Sequence, residues 1–283
     1  MFNYTLKEEA FRIHKETLNR YNDSYSQMGK SCQELYNVRK EAVSLIQFIE
    51  QVINSIANTP KEFDTQLGKI GRELTRFQET EEYAKEAYEA SLKAGINIVG
   101  GVAAGFGVAA MAPTAMMSIA TTFGTASTGT AISALSGAAA QKAAVAWVGR
   151  NFAGFAVKQG AGMAAGRAFL ALAGPIGWGI TAASTGISLI SMTKKNKELA
   201  DKAVEEAKEI AKVREAIDET TEKVRVLRAK TDLLFCDMDK QRNKISGYRN
   251  AEYSSLSSDE KYFLGSLVNN TLTLSTLLNE TVE

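Results

Sequence analysis

Nucleophilic, redox or metal chemistry in this chain would have to fall on very few side chains. There is one histidine, His14, and there are two cysteines, Cys32 and Cys236, far apart and without CxxC spacing. A lone histidine cannot furnish the clusters that transition metals need, and two separated thiols in a charged helical context read as free thiols in a reducing compartment. Paired carboxylates occur at Glu81 with Glu82 and at Glu205 with Glu206, where helical periodicity puts them on wet faces. No GxxxxGK[ST] phosphate loop, GxSxG elbow or HExxH pair is present, and the glycine clusters near Gly100 and Gly160 do not follow a strand. The expectation is a protein that is not an enzyme and holds no cofactor.

A different chemistry is written in the middle of the chain. From Ala90 to Lys197 there is no Asp or Glu, although the 283-residue sequence holds 32 of them. Between Ala94 and Thr193 the only charges are Lys142, Arg150, Lys158 and Arg167, and 17 of the 22 glycines fall in the same window. The 48 residues from Ala94 to Gln141 carry no charge, more than twice the roughly 20 that one helical span requires. A turn is expected at Phe123 to Thr130 (FGTASTGT), giving a hairpin of small residues. Small residues recur at spacing four: Gly101, Gly105 and Ala109; Gly129, Ser133 and Gly137; Gly162 and Gly166. Such faces let helices approach closely where lipid removes the hydrophobic drive between them, and a buried soluble hairpin would use the same packing. Because Gly, Ala, Ser and Thr are only marginally apolar, the segment suits conditional rather than permanent insertion.

Lys142, Arg150, Lys158 and Arg167, with Trp147, make a cationic amphipathic stretch of the kind that lies on anionic headgroups, or else the wet side of a soluble helix. Trp178 follows the Gly174-Pro175 break and is either an interfacial anchor or a core residue.

The elements that must position this window are helical. Residues recur every seven from Phe11 to Ile56, through Leu18, Tyr25, Cys32, Ile46 and Ile53 and through His14, Tyr21, Met28, Leu35, Ala42 and Ile49, with Arg39 breaking the first series. At these positions His14, Tyr21 and Tyr25 read as packed seam residues. Pro60 ends this helix and opens a second, through Phe63, Leu67, Ile70, Leu74 and Phe77. After the window, Ile210, Ile217, Val224, Thr231, Met238 and Ile245 predict a long helix from about Lys194 to Ile245. Ser257 and Glu260 form a capping box opening a last helix through Leu264, Leu267, Leu274 and Leu278. The fold class is therefore all-α: long coiled-coil helices in an elongated bundle, divided as residues 1–93, a Gly/Ala-rich hairpin region 94–193, and residues 194–283.

The stretches Thr122 to Ala140 (TFGTASTGTAISALSGAAA) and Ala171 to Trp178 (ALAGPIGW) resemble a glycine-zipper region of uncharacterised bacterial proteins, over about Gly100 to Gly179. Where that pattern carries further glycines, this chain has Val148-Gly149-Arg150-Asn151 and Lys158-Gln159-Gly160. The layout of long helices around an apolar hairpin is similar to α-helical pore formers of the cytolysin A and haemolysin BL kind and to apolipoprotein L-like proteins. That resemblance implies a soluble form, exposure of the hairpin, homo-oligomerisation on a lipid bilayer and loss of membrane integrity.

The leading expectation is thus a bacterial membrane-permeabilising protein, a toxin or anti-phage effector. The N-terminus lacks a basic start and apolar core, which predicts synthesis in the cytoplasm and action at the inner membrane, with signal-less export left open. A regulatory protein partner fits this reading; nucleic acid does not, because the net charge is +1 with no concentrated basic face. Two alternatives stand beside it: a soluble coiled-coil interaction module with a buried glycine-rich hairpin, and a constitutive membrane protein with cytoplasmic helical arms.

Overall fold

The computed structural model describes residues 2–93 and 192–280, with Thr130, Ile132, Leu135, Ala139 and Ala143 between them. Helices α1 (Phe2–Ser55), α2 (Lys61–Lys93), α3 (Met192–Asp239), α4 (Arg242–Ser246) and α5 (Ser258–Leu277) make up nearly all of both arms, with a short 3-10 turn at Tyr253–Ser255. The described residues are all-α. At 1.5 Å per residue α1 is about 80 Å long and α3 about 70 Å.

The two long helices run side by side in the same direction. Ala10 packs with Ala200 and Ala203 near their starts. Further along, the Arg225 side chain donates to Ser31 and Gln27, and Arg228 pairs with Glu34 at 3.2 Å. Partner residues thus stay close to 194 positions apart, as a parallel pair requires. The seven-residue series becomes the seam: Tyr21, Met28, Leu35, Ala42 and Ile49 on α1, and Ala203, Ile210, Ile217, Val224, Thr231 and Met238 on α3, are all buried. The buried threonines of α3 are satisfied locally. Thr221 and Thr231 donate their hydroxyls to the carbonyls of Ile217 and Leu227 four residues back, so they sit in a dry seam without an orphaned group.

Each long helix turns back on itself, and the two turns are joined. Asn58 and Asn250 both adopt left-handed backbone angles, φ 58° and φ 59°, which asparagine tolerates better than branched residues do. Ala57 N–H donates to the Ala251 carbonyl (2.9 Å) and Tyr253 N–H to the Ala57 carbonyl (3.0 Å), a parallel bridge between the turns. Ser55 Oγ accepts from Asn250 N–H, and the Asn58 amide donates to the Glu252 carboxylate, holding that carboxyl below its ordinary range. From these turns α2 and α5 run back together: Gln66 meets Asn269, and Asn279 meets Glu73. The described residues thus make two long-short helical hairpins lying in parallel.

Packing is thickest beside the turns. Leu45, Ile46, Ile49 and Ile53 of α1 join Phe63, Ile70, Leu74 and Phe77 of α2, Met238 and Ile245 of the second arm, and Leu264, Leu267, Leu274 and Leu278 of the last helix in one core. The expected capping box is present: Ser257 Oγ accepts from Glu260 N–H, and the Glu260 carboxylate accepts from Ser257 N–H at 2.8 Å. The long helix expected to reach Ile245 instead ends at Asp239. Ile245 keeps its buried place from the separate helix α4, because periodicity reports which residues are buried and not whether the helix between them is continuous.

Candidate functional site

Gly101, Gly105, Ala109, Gly129, Ser133, Gly137, Gly162 and Gly166, with Lys142, Arg150, Lys158, Arg167, Trp147 and Trp178, lie outside the described residues. Among the described residues no helix is long and apolar enough to cross a membrane. What the structure does place is the frame at either end of the acid-free window. Helix α2 leaves the turns and runs to Lys93, antiparallel to α1; helix α3 begins at Met192 and lies along α1 from near its start. Both junctions therefore lie toward the half of the molecule opposite the joined turns.

The other residues expected to pack do so. His14 is buried, and Tyr21 and Tyr25 stack with ring centroids 6.0 Å apart. Burial raises the Tyr25 phenol well above its ordinary range, with the neighbouring Tyr21 and Cys32 adding to the effect. Cys32 and Cys236 are both free, the first buried and the second exposed. Among the described residues no cluster of three His, Cys, Asp or Glu could hold a metal ion.

One polar constellation joins all four major helices. Arg39, on the seam of α1, is 1% exposed, and its Nη2 donates to the Glu280 main-chain carbonyl at 2.7 Å. Two residues from the end of α5, Asn279 donates its amide to the Glu73 carbonyl (2.9 Å) and carboxylate (2.7 Å) on α2. The Glu280 carboxylate accepts from Lys230 on α3 at 3.0 Å. Beside Arg39 on α1, Tyr36 donates its hydroxyl to the Glu81 carboxylate, which also accepts from Lys40 at 2.9 Å.

A guanidinium taken out of water must meet acceptors to remain charged, and the Glu280 carbonyl, past the end of α5, is not engaged in the helix ladder. Burial pulls Arg39 down to about 9, with the Glu280 carboxylate and the Cys32 thiol acting in the opposite direction. It is a cation at neutral pH. The same burial pushes the Cys32 thiol up to about 12, against the pull of Arg39, so this cysteine is a thiol and not a thiolate nucleophile under ordinary conditions. Burial and the hydrogen bond to Glu81 likewise raise the Tyr36 phenol.

The sequence marked Arg39 only as a break in the heptads. A cation at a seam position is itself the available signal, since it needs an acceptor inside the bundle. Its partner, the Glu280 main-chain carbonyl beyond the end of α5 and 241 residues away, has no local signature. Comparison with protein-family models, with curated proteins and with solved structures gives no match to this chain.

Proposed function

We propose that this chain is a membrane-inserting protein that permeabilises a bilayer through its acid-free central window, held by two helical arms. The observation that carries this is the absence of any Asp or Glu from Ala90 to Lys197 in a protein that uses 32 elsewhere. Moving a carboxylate into hydrocarbon costs a few kcal/mol even on the gentlest scales, so freedom from acids is the composition that insertion selects. The frame supports the reading, because both junctions of the window lie on the same half of the molecule and the joined turns lie on the other. A hairpin delivered from that half needs no dismantling of the packed core beside the turns.

In this reading Gly101, Gly105, Gly129, Gly137 and their companions provide close helix contacts, and Lys142, Arg150, Lys158 and Arg167 meet anionic headgroups. Homo-oligomerisation on the bilayer, action at the inner membrane as a toxin or defence effector, and control by a protein partner belong to the same proposal. Dye release from liposomes tests it. The full chain is expected to empty anionic vesicles, and Gly105→Leu and Gly137→Leu are expected to slow release by prying the small-residue faces apart. Failure of the wild-type chain to release dye at any pH or lipid composition, with the protein staying in the soluble fraction, would overturn the proposal in favour of a soluble coiled-coil module.

A further inference from the structure

The two residues that follow Leu278 close the bundle. From the contacts of Asn279 and Glu280 we infer that these residues are a latch, holding α2 and α5 against the α1–α3 pair and so restraining insertion of the central window. The restraint on insertion rests on the membrane reading above; the latch itself does not. Three helices are gripped from two consecutive residues: α1 through Arg39 to the Glu280 carbonyl, α2 through Asn279 to Glu73, and α3 through Lys230 to the Glu280 carboxylate.

The energetic centre is the main-chain contact. Arg39 is wholly enclosed, whereas Lys230 and the Glu280 side chain are 56% and 42% exposed. An exposed ion pair contributes little, while a buried cation deprived of an acceptor carries a large penalty. Withdrawing Asn279 and the residues that follow it therefore takes the Glu280 carbonyl away from a cation in the core. The position of the latch makes that penalty selective. It lies where α2 and α5 join the pair, and Ala10, Ala200 and Ala203 at the far end of α1 and α3 are untouched by it. Release would loosen α2, the helix that leads into the window, before it loosened the long pair.

Amide hydrogen exchange and vesicle leakage on the full chain, on a chain ending at Leu278, on Glu280→Ala and on the Leu278-ended chain carrying Arg39→Leu test this together. Shortening the chain is expected to speed exchange about tenfold or more in α2 and α5, to leave residues 5–28 of α1 within about twofold, and to accelerate leakage. Glu280→Ala keeps the main-chain carbonyl and is expected to change exchange by no more than about twofold. Arg39→Leu in the shortened chain is expected to restore slow exchange in α2, because the buried charge that lost the Glu280 carbonyl is gone.

Unchanged exchange in α2 on shortening would overturn the latch, as would failure of Arg39→Leu to restore it. Faster exchange with leakage that is present but no faster would overturn the restraint on insertion. No leakage from any of the four chains would defeat the membrane reading itself, and the exchange results would still decide the latch.

Discussion

The half of the molecule beside the turns and the half that reaches toward the central window solve the same packing problem with different residues. Beside the turns, four helices meet and the core is made of Leu45, Ile46, Ile49, Ile53, Phe63, Ile70, Phe77 and Leu274, with Tyr248 stacked on Phe263 at 5.7 Å and the Lys244 ammonium 3.7 Å from that ring. At the far end the cluster is Ala10, Ala200 and Ala203, flanked by half-buried Phe11 and Val204, while Leu6 and Ile13 are largely exposed. Among the described residues only α1 and α3 meet there, and the seam between them narrows to alanine beside larger apolar groups that are partly in water. Stability should follow the same gradient, with the joined turns as the firm end and the starts of α1 and α3 as the loose one. For a protein proposed to move its central window into a membrane, the loose end is also where α3 takes over from the window.

The sharpest way to break this comparison is to truncate one residue in each half. Ile46 is wholly buried in the four-helix core. Ile46→Ala is expected to cost about 2–5 kcal/mol in chemical denaturation, as large-to-small changes in close-packed cores do. Ala203 is equally buried but has only a methyl group to lose. Ala203→Gly is expected to cost about 1 kcal/mol, nearly all of it helix propensity. Equal costs would mean that the two ends are equally well packed and that the gradient is an illusion of residue size.

A second, smaller effect probes the seam between the two halves. Cys32 is buried beside Arg39, and its pKa rises from 9.0 to about 12. A group whose pKa is higher in the folded state gives stability that is complete below the unfolded value and is lost as pH climbs through the folded one. The Cys32 contribution is therefore intact up to pH 9 and disappears between pH 9 and pH 12. Arg39, pulled down by burial to about 9, acts in the opposite sense over the same window, since the unfolded chain then binds the extra proton and stability rises with pH. Comparing wild type with Cys32→Ala removes the arginine contribution to first order. Between pH 8 and pH 10 the stability advantage of wild type over Cys32→Ala is expected to shrink by about 1 kcal/mol, roughly one pKa unit's worth. An advantage that does not change with pH would show that water reaches the thiol and that the seam is already open there.

How much of this was legible beforehand depends on the range of each interaction. Helix α1, the Pro60 break, the Ser257–Glu260 cap and the buried positions of α3 follow from neighbours within about a turn or two of helix, and the sequence displays them directly. The parallel course of α1 and α3 was not legible, because a heptad pattern marks a seam without saying which helix fills it or in which direction. The break at Lys240-Gln241 was hidden by Ile245, whose burial continues the seven-residue series through a separate helix. Arg39 was visible as an anomaly but not as a contact, since its acceptor is a main-chain carbonyl, and every residue has one. The proposed insertion residues, from Gly101 to Trp178, lie outside the described residues and rest on composition alone.

The smallest expected effect marks what does not distinguish the two halves. Arg12 pairs with Glu16 at 3.0 Å and approaches Glu9 at 3.8 Å, with these side chains more than half exposed at the loose end. Water screens such pairs, and holding long side chains in one geometry costs entropy, so each contributes no more than about 0.5 kcal/mol. A double-mutant cycle with Arg12→Ala and Glu16→Ala is expected to give a coupling of about 0.3–0.5 kcal/mol at low salt, vanishing as salt rises. A coupling above about 1 kcal/mol that resisted salt would mean that the start of α1 is held by charge rather than left loose by its small core. The loose end would then be firmer than Ala10, Ala200 and Ala203 alone can make it, and release of the central window would have to overcome that grip as well as the one on Arg39.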